Sequence, residues 1–180
     1  MSFFDRDFKE ILSSELVSII GGLLVGIVLA IYTDKLLLIP GMLVLLPGFL
    51  EMRGNISGSL SSRLSSGLFL GVINPKKIKS KIVTGNVIAA TILSILVSLA
   101  LGLIAFLFDY IVLHQVVVEI IFLPLIAGII ANLIEIFITL FATFYLFRKG
   151  HDPNNIMGPF VTTTGDISST LALLITLMII

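Results

Sequence analysis

A single carboxylate interrupts the last apolar run of the sequence. Asp166 lies about ten residues into the stretch from Ile156 to Ile180, roughly 15 Å deep if that stretch is a membrane helix. An uncompensated charge at that depth costs several kcal/mol, so an intramembrane acid points to a site. Thr162, Asp166, Ser169 and Thr170 follow i, i+4, i+7, i+8 and share a helix face. Thr163 flanks the aspartate at i−3, and Pro159 frees a backbone carbonyl one turn earlier. Carboxylate, hydroxyls and carbonyls are hard oxygen ligands of the kind that suit Mg²⁺, Mn²⁺ or Ca²⁺. Mg²⁺ sheds its waters reluctantly and can be held through them. The competing account is a protonated aspartic acid bonded to a neighbouring helix. Two copies of Asp166 would match the charge of one divalent ion, which favours a dimer.

A second polar series, Asn55, Ser59, Ser62 and Ser66, runs along the region before residue 73. It faces either an ion path or other helices, since serine commonly hydrogen-bonds between membrane helices. Asn55 follows Gly54 at an expected helix break and is assigned to the path. Asn132 and Glu135, one turn apart in another apolar run, are either a second ligand pair or the neutralising partners of Arg53 or Arg63. Glu51 and Arg53 are expected to pair and order the break. Glu119 reads as an interfacial charge, and His114 and His151 as loop residues without a ligand partner. There is no cysteine, hence no thiolate nucleophile or thiolate metal site. With no phosphate loop, Ser-His-Asp set or metallopeptidase motif either, the chain is not expected to be an enzyme.

These residues need elements to carry them. With 57% hydrophobic and 12% charged residues, the chain is too apolar for a soluble domain, and a bilayer is the solvent that suits it. The fold class expected is all-α: a polytopic membrane protein of five transmembrane helices with a broken second span and a short amphipathic helix at its amino terminus. Residues 1–15 form the interfacial helix, with Phe4, Phe8, Ile11 and Leu12 on one face, and residues 16–180 the transport domain. The acidic start of the chain does not resemble a signal peptide. Span 1 covers about 16–32, where Gly22 and Gly26 form a small-residue face for helix packing. The region 36–73 is too long for one straight crossing, and Pro40, Pro47, Gly48 and Gly54 are expected to break it. Spans 3, 4 and 5 cover about 82–108, 116–147 and 156–180.

With five spans, the amino terminus, the 74–81 loop and the 148–155 loop share one side. They hold Arg6, Lys9, Lys76, Lys77, Lys79, Lys81, Arg148 and Lys149, against Lys35 alone on the other. The positive-inside rule then places the amino terminus in the cytoplasm and the carboxyl terminus outside the cell membrane. A dimer of such chains is parallel. Zero net charge gives no reason to expect a nucleic-acid partner; the expected partners are membrane lipid, a divalent cation and a second copy.

Two stretches carry a resemblance. The run 46–65, LPGFLEMRGNISGSLSSRLS, and the run 150–166, GHDPNNIMGPFVTTTGD, are similar to the proline, Gly-Asn, Ser-Arg-Leu-Ser and Gly-Pro-Phe-Val-Thr-Thr…Asp elements of the MgtE-type magnesium channel family and its eukaryotic solute-carrier relatives. The resemblance covers essentially the whole chain. It implies a homodimer of five-helix units with the ion path at the subunit interface. It also implies a hydrated Mg²⁺ held by Asp166 from each copy, Asn55 bordering the pore, and the backbone carbonyls of Thr162 and Thr163 near the ion. Bacterial members close the pore with large cytosolic domains; with about fifteen residues ahead of span 1 in this sequence, such gating is not part of what the resemblance implies here. The expectation is transport of divalent cations, Mg²⁺ first and Mn²⁺, Co²⁺ or Ca²⁺ as alternatives. The site would be formed by Asp166, Asn55, Thr162 and Thr163, with Asn132 and Glu135 as further candidates. Two alternatives remain: a Na⁺-coupled Mg²⁺ exchanger using Glu135, and a non-transporting membrane assembly subunit.

Overall fold

A computed structural model describes residues 5–179; Phe4 of the amphipathic pattern and Ile180 at the end of the last run lie outside them. The described chain is helical throughout, with six α-helices: α1 (Arg6–Ile31), α2 (Thr33–Leu36), α3 (Met42–Phe69), α4 (Lys81–Phe108), α5 (Glu119–Arg148) and α6 (Pro153–Leu177). A π-helical turn, Asp109–Leu113, extends α4. Four helices, α1, α4, α5 and α6, are long and apolar enough to cross a membrane. α3 is as long as α4, at 28 residues, but its polar centre sets it apart.

Helix starts follow from local chemistry. The side chains of Asp5, Ser80 and Asp152 accept the amides of Phe8, Val83 and Asn154, satisfying donors that a helix leaves free at its first turn. Pro153 sits at the start of α6, where its missing amide costs nothing. The amphipathic segment does not stand apart from the first span: Arg6–Ile31 is one helix with no interruption near residue 15. No glycine or proline lies there to stop it, and the hydroxyls of Ser13 and Ser14 bond the Glu10 and Ile11 carbonyls within the helix instead of capping a new one.

Of the breaks expected in the second apolar region, that at Pro40 occurs and those at Pro47, Gly48 and Gly54 do not. The break occupies the turn before Met42, where Gly41 adopts a left-handed φ of 73° after Pro40. From there α3 runs unbroken through Pro47, Gly48 and Gly54. Pro47 lies near the helix start and disturbs little, and the two glycines serve packing. Leu101 of α4 fills the space beside Gly48, and Thr162 of α6 lies beside Gly54, 3.2 Å from where a β-carbon would be.

The five long helices alternate in direction. Ser14 meets Asn155 and Ser18 meets Thr163, so α1 and α6 run alongside in the same sense. Arg53 with Ser94 and Met52 with Ser98 set α3 against α4, while Arg53 with Asn132 and Ser61 with Thr143 align α3 with α5. α3 sits centrally, packed on α4, α5 and α6. Leu45, Phe49, Leu60 and Leu64 of α3 join Leu123, Ala127, Phe144 and Leu173 in the core. α1 lies on the outside along α6 and exposes Leu16, Ile20, Leu23, Leu24 and Ile27, a surface suited to lipid. Gly22 and Gly26 do not form the expected packing face within the chain, because nothing approaches them within 4 Å. The glycine that lets α1 approach α6 is Gly21, which is buried against the Thr163 side chain.

Candidate functional site

The two polar series meet in a groove of about 400 Å³ between α3 and α6. Glu51, Gly54 and Asn55 line one wall; Gly158, Thr162 and Asp166 line the other. Gly54 lets α3 approach α6 at Thr162, and Gly158, with open space beside it, leaves backbone at the groove surface. Asp166 is half-buried, whereas Glu51, Asn55 and Thr162 are exposed. The Asn55 amide donates to Glu51 Oε1 at 3.2 Å, one turn away on α3. Thr162 donates its hydroxyl to the Gly158 carbonyl at 3.0 Å, so its oxygen lone pairs remain as acceptors. No basic side chain lines the groove. It offers two carboxylates, an amide and a hydroxyl on a face that opens away from the bundle. Among the described residues no three His, Cys, Asp or Glu side chains converge into a closed cage. An open wall of oxygen ligands suits an ion that keeps part of its water shell.

The serines of α3 divide between two faces. Ser59, Ser62 and Ser66 continue the exposed line of Asn55. Ser57, Ser61 and Ser65 are buried on the opposite side, and Ser61 hydrogen-bonds Thr143 of α5 at 3.0 Å. Interhelical bonding by serine therefore occurs on α3, through a set one or two residues away from the series singled out by spacing.

Asn132 and Glu135 lie elsewhere. Both are buried inside the bundle, around a fully buried Arg53. The Arg53 guanidinium donates to Ser94 Oγ at 2.7 Å and to Asn132 Oδ1 at 3.4 Å, and lies 5.9 Å from the Phe49 ring centre. Glu135 accepts from Thr164 Oγ1 at 2.8 Å and Ser168 Oγ at 3.3 Å, and its charge acts on Arg53 through space. Asn132 and Glu135 thus lie around Arg53 and not on the groove, Asn132 as a hydrogen-bond acceptor and Glu135 as the opposite charge. Arg63 takes no part: it is exposed and bonds Ser59 at 2.7 Å. The expected pairing of Glu51 with Arg53 does not occur. Positions two apart on a helix point about 200° apart, so Arg53 enters the core while Glu51 faces the groove.

The α6 residues also divide. Thr163 turns from the groove to α1, donating to Ser18 Oγ at 2.8 Å and to the Pro159 carbonyl at 3.0 Å. The carbonyl that Pro159 frees, that of Asn155, accepts the Ser14 hydroxyl at 3.2 Å. Ser169 and Thr170, expected beside Asp166, are buried. Of the expected face, Thr162 and Asp166 alone line the groove.

Glu51 is the groove residue that spacing should have revealed. Residues 51, 55, 59, 62 and 66 form one stripe, and Glu51 extends it by one turn. His151, read as a loop residue, bonds Glu10 at 2.8 Å and fastens the start of α1 to the turn before α6, with Arg6 on the Gly150 carbonyl at 2.6 Å.

The family model MgtE, described as divalent cation transporter, matches residues 46–176. This range contains both walls of the groove and the Arg53 network. No match is found among curated proteins or among solved structures.

Proposed function

The chain belongs to the MgtE family of divalent cation transporters, a family of transporters and not of enzymes, and from that premise we propose that it passes Mg²⁺ across the membrane between two copies of itself. The observation that carries this reading is the groove's position. Glu51, Asn55 and Asp166 lie on an outward-facing side of the bundle, where a lone chain would present charge to hydrocarbon at a cost of several kcal/mol. A second copy related by an axis along the membrane normal covers that face and closes two grooves into one water-filled path. In that path α3 serves as a fifth span, since a polar helix is tolerated where it lines a cavity.

The paired Asp166 carboxylates supply two negative charges to one hydrated divalent ion. Asn55 and Thr162 receive hydrogen bonds from its waters. The Thr163 carbonyl contributes from the backbone, while its side chain holds α6 to α1. Asn132 and Glu135 act through Arg53, keeping the α6 wall in register. The basic end of the bundle, with Arg6, the 76–81 lysines, Arg148 and Lys149, faces the cytoplasm. An inward potential of ~100 mV then favours entry of a doubly charged ion by about 4.6 kcal/mol. Because Glu135 is occupied by the Thr164 and Ser168 hydroxyls, a conductive route is favoured over Na⁺ coupling at that residue.

The test is Mg²⁺ uptake into liposomes holding purified protein, under an imposed potential and without Na⁺. Wild-type protein should take up Mg²⁺, and Asp166→Ala and Asp166→Asn should not, while eluting as folded dimers. Uptake that begins only when Na⁺ is added would replace the channel with an exchanger. Equal uptake by all three proteins would remove Asp166 from the path.

A further inference from the structure

We propose that Glu51 is a second ion-binding carboxylate of the path, level with Asp166, so that two copies surround a hydrated divalent cation with four acidic groups. The inference rests on the transport reading above and adds a selectivity-determining residue to it. Its basis is the register of α3 against α6. Thr162 lies beside Gly54, and Arg53 lies beside Gly165. These two contacts fix an antiparallel ladder in which the position of Glu51 stands opposite that of Asp166. Both side chains line the same groove, and no cation of the chain lines it with them. Like charges facing each other without a counter-ion repel, and a divalent cation relieves that repulsion at both groups together. Rings of acidic side chains are a general means of selecting cations.

Glu51 also orients a neighbour. By accepting the Asn55 amide at 3.2 Å, it occupies the donor end of that side chain and leaves the Asn55 carbonyl oxygen as the acceptor for the ion's water shell. Charge and orientation separate in the conservative variants. Glu51→Gln keeps an acceptor for Asn55 and removes the charge. Glu51→Asp keeps the charge on a shorter arm.

The experiment is concentration-dependent Mg²⁺ uptake in the same liposomes, together with reversal potentials under opposed Mg²⁺ and K⁺ gradients. Wild type, Glu51→Gln, Glu51→Asp and Asp166→Asn are compared. Glu51→Gln should raise the half-saturating Mg²⁺ concentration by roughly tenfold and shift the reversal potential toward K⁺. Glu51→Asp should stay within about threefold of wild type. If Glu51→Gln matches wild type in both readouts while Asp166→Asn is silent, Glu51 is no ligand and the transport reading stands. If Asp166→Asn transports like wild type, the path through Asp166 fails whatever Glu51 does. Should Glu51→Gln not fold, Glu51→Ala is read in its place: a raised half-saturating concentration with a reversal potential shifted toward K⁺ supports the proposal, and wild-type values of both overturn it.

Discussion

Arg53 and Glu51 lie two residues apart on α3 and have opposite surroundings. Arg53 is buried among partners from its own chain: Ser94 of α4, Asn132 of α5, the Phe49 ring and the nearby charge of Glu135. Glu51 and Asp166 line a groove that contains no basic side chain. The first arrangement finds two hydrogen-bond acceptors and an opposite charge within one chain, with Arg53 Nε left without a partner. The second has surplus negative charge and is completed by something from outside, for which water, a cation and a second copy of the chain are suitable. Charges in a membrane protein thus sort by who neutralises them. Those neutralised internally hold helices together, and those left open line the outward groove where an ion path is proposed.

The comparison can be broken most sharply after the loss of flux expected for Asp166→Asn by removing the interior cation. Arg53→Ala leaves Glu135 buried beside no positive charge and should cost about 3–5 kcal/mol. Thermal unfolding in detergent should show a large fall in midpoint, and Arg53→Met combined with Glu135→Gln should recover most of it. Recovery of flux without recovery of stability would contradict the division of roles. A smaller effect separates the two asparagines. Asn132→Ala removes an acceptor from a buried guanidinium and should cost roughly 1–3 kcal/mol of stability. Asn55→Ala should leave stability within about 0.5 kcal/mol and reduce Mg²⁺ uptake on the order of tenfold, by loss of one hydrogen-bond acceptor. Equal effects of both on uptake would merge the two regions. The smallest contrast concerns α1. Gly21→Ala places a methyl group against Thr163 and should destabilise by about 1–3 kcal/mol. Gly22→Ala, with open space around it, should be neutral or stabilising by up to about 1 kcal/mol, judged by the same unfolding measurement.

Much of the fold was legible because hydropathy and helix punctuation are local. The expected start of span 3 at residue 82 and end at residue 108 agree closely with α4, Lys81–Phe108, since Ser80 caps that helix by its own side chain. α6 begins at Pro153, three residues ahead of the expected 156, because Asp152 caps it and Pro153 suits its first turn. Glycine misled the reading of α3 and α1. At Gly48, Gly54, Gly21 and Gly22 the same residue type gives packing contact, packing contact, packing contact and open space. Only a neighbouring helix distinguishes these cases.

The sequence by itself determined the solvent, the helices and the presence of polar oxygen-bearing side chains within apolar runs, because composition and i, i+4 spacing are properties of one strand of chain. Of the residues it singled out for the site, Asn55, Thr162 and Asp166 line one wall or the other of the groove. The tertiary structure decided which polar groups share a space. It gave Thr163 to Ser18, the carbonyl freed by Pro159 to Ser14, and Asn132 and Glu135 to the Arg53 network. It also brought Glu51 opposite Asp166. The physical reason is that a helix fixes the angle of each side chain about its own axis, whereas its rotation and register against its neighbours come from packing. A turn of about 100°, the step between adjacent residues, is enough to move a polar group from an ion path into the core.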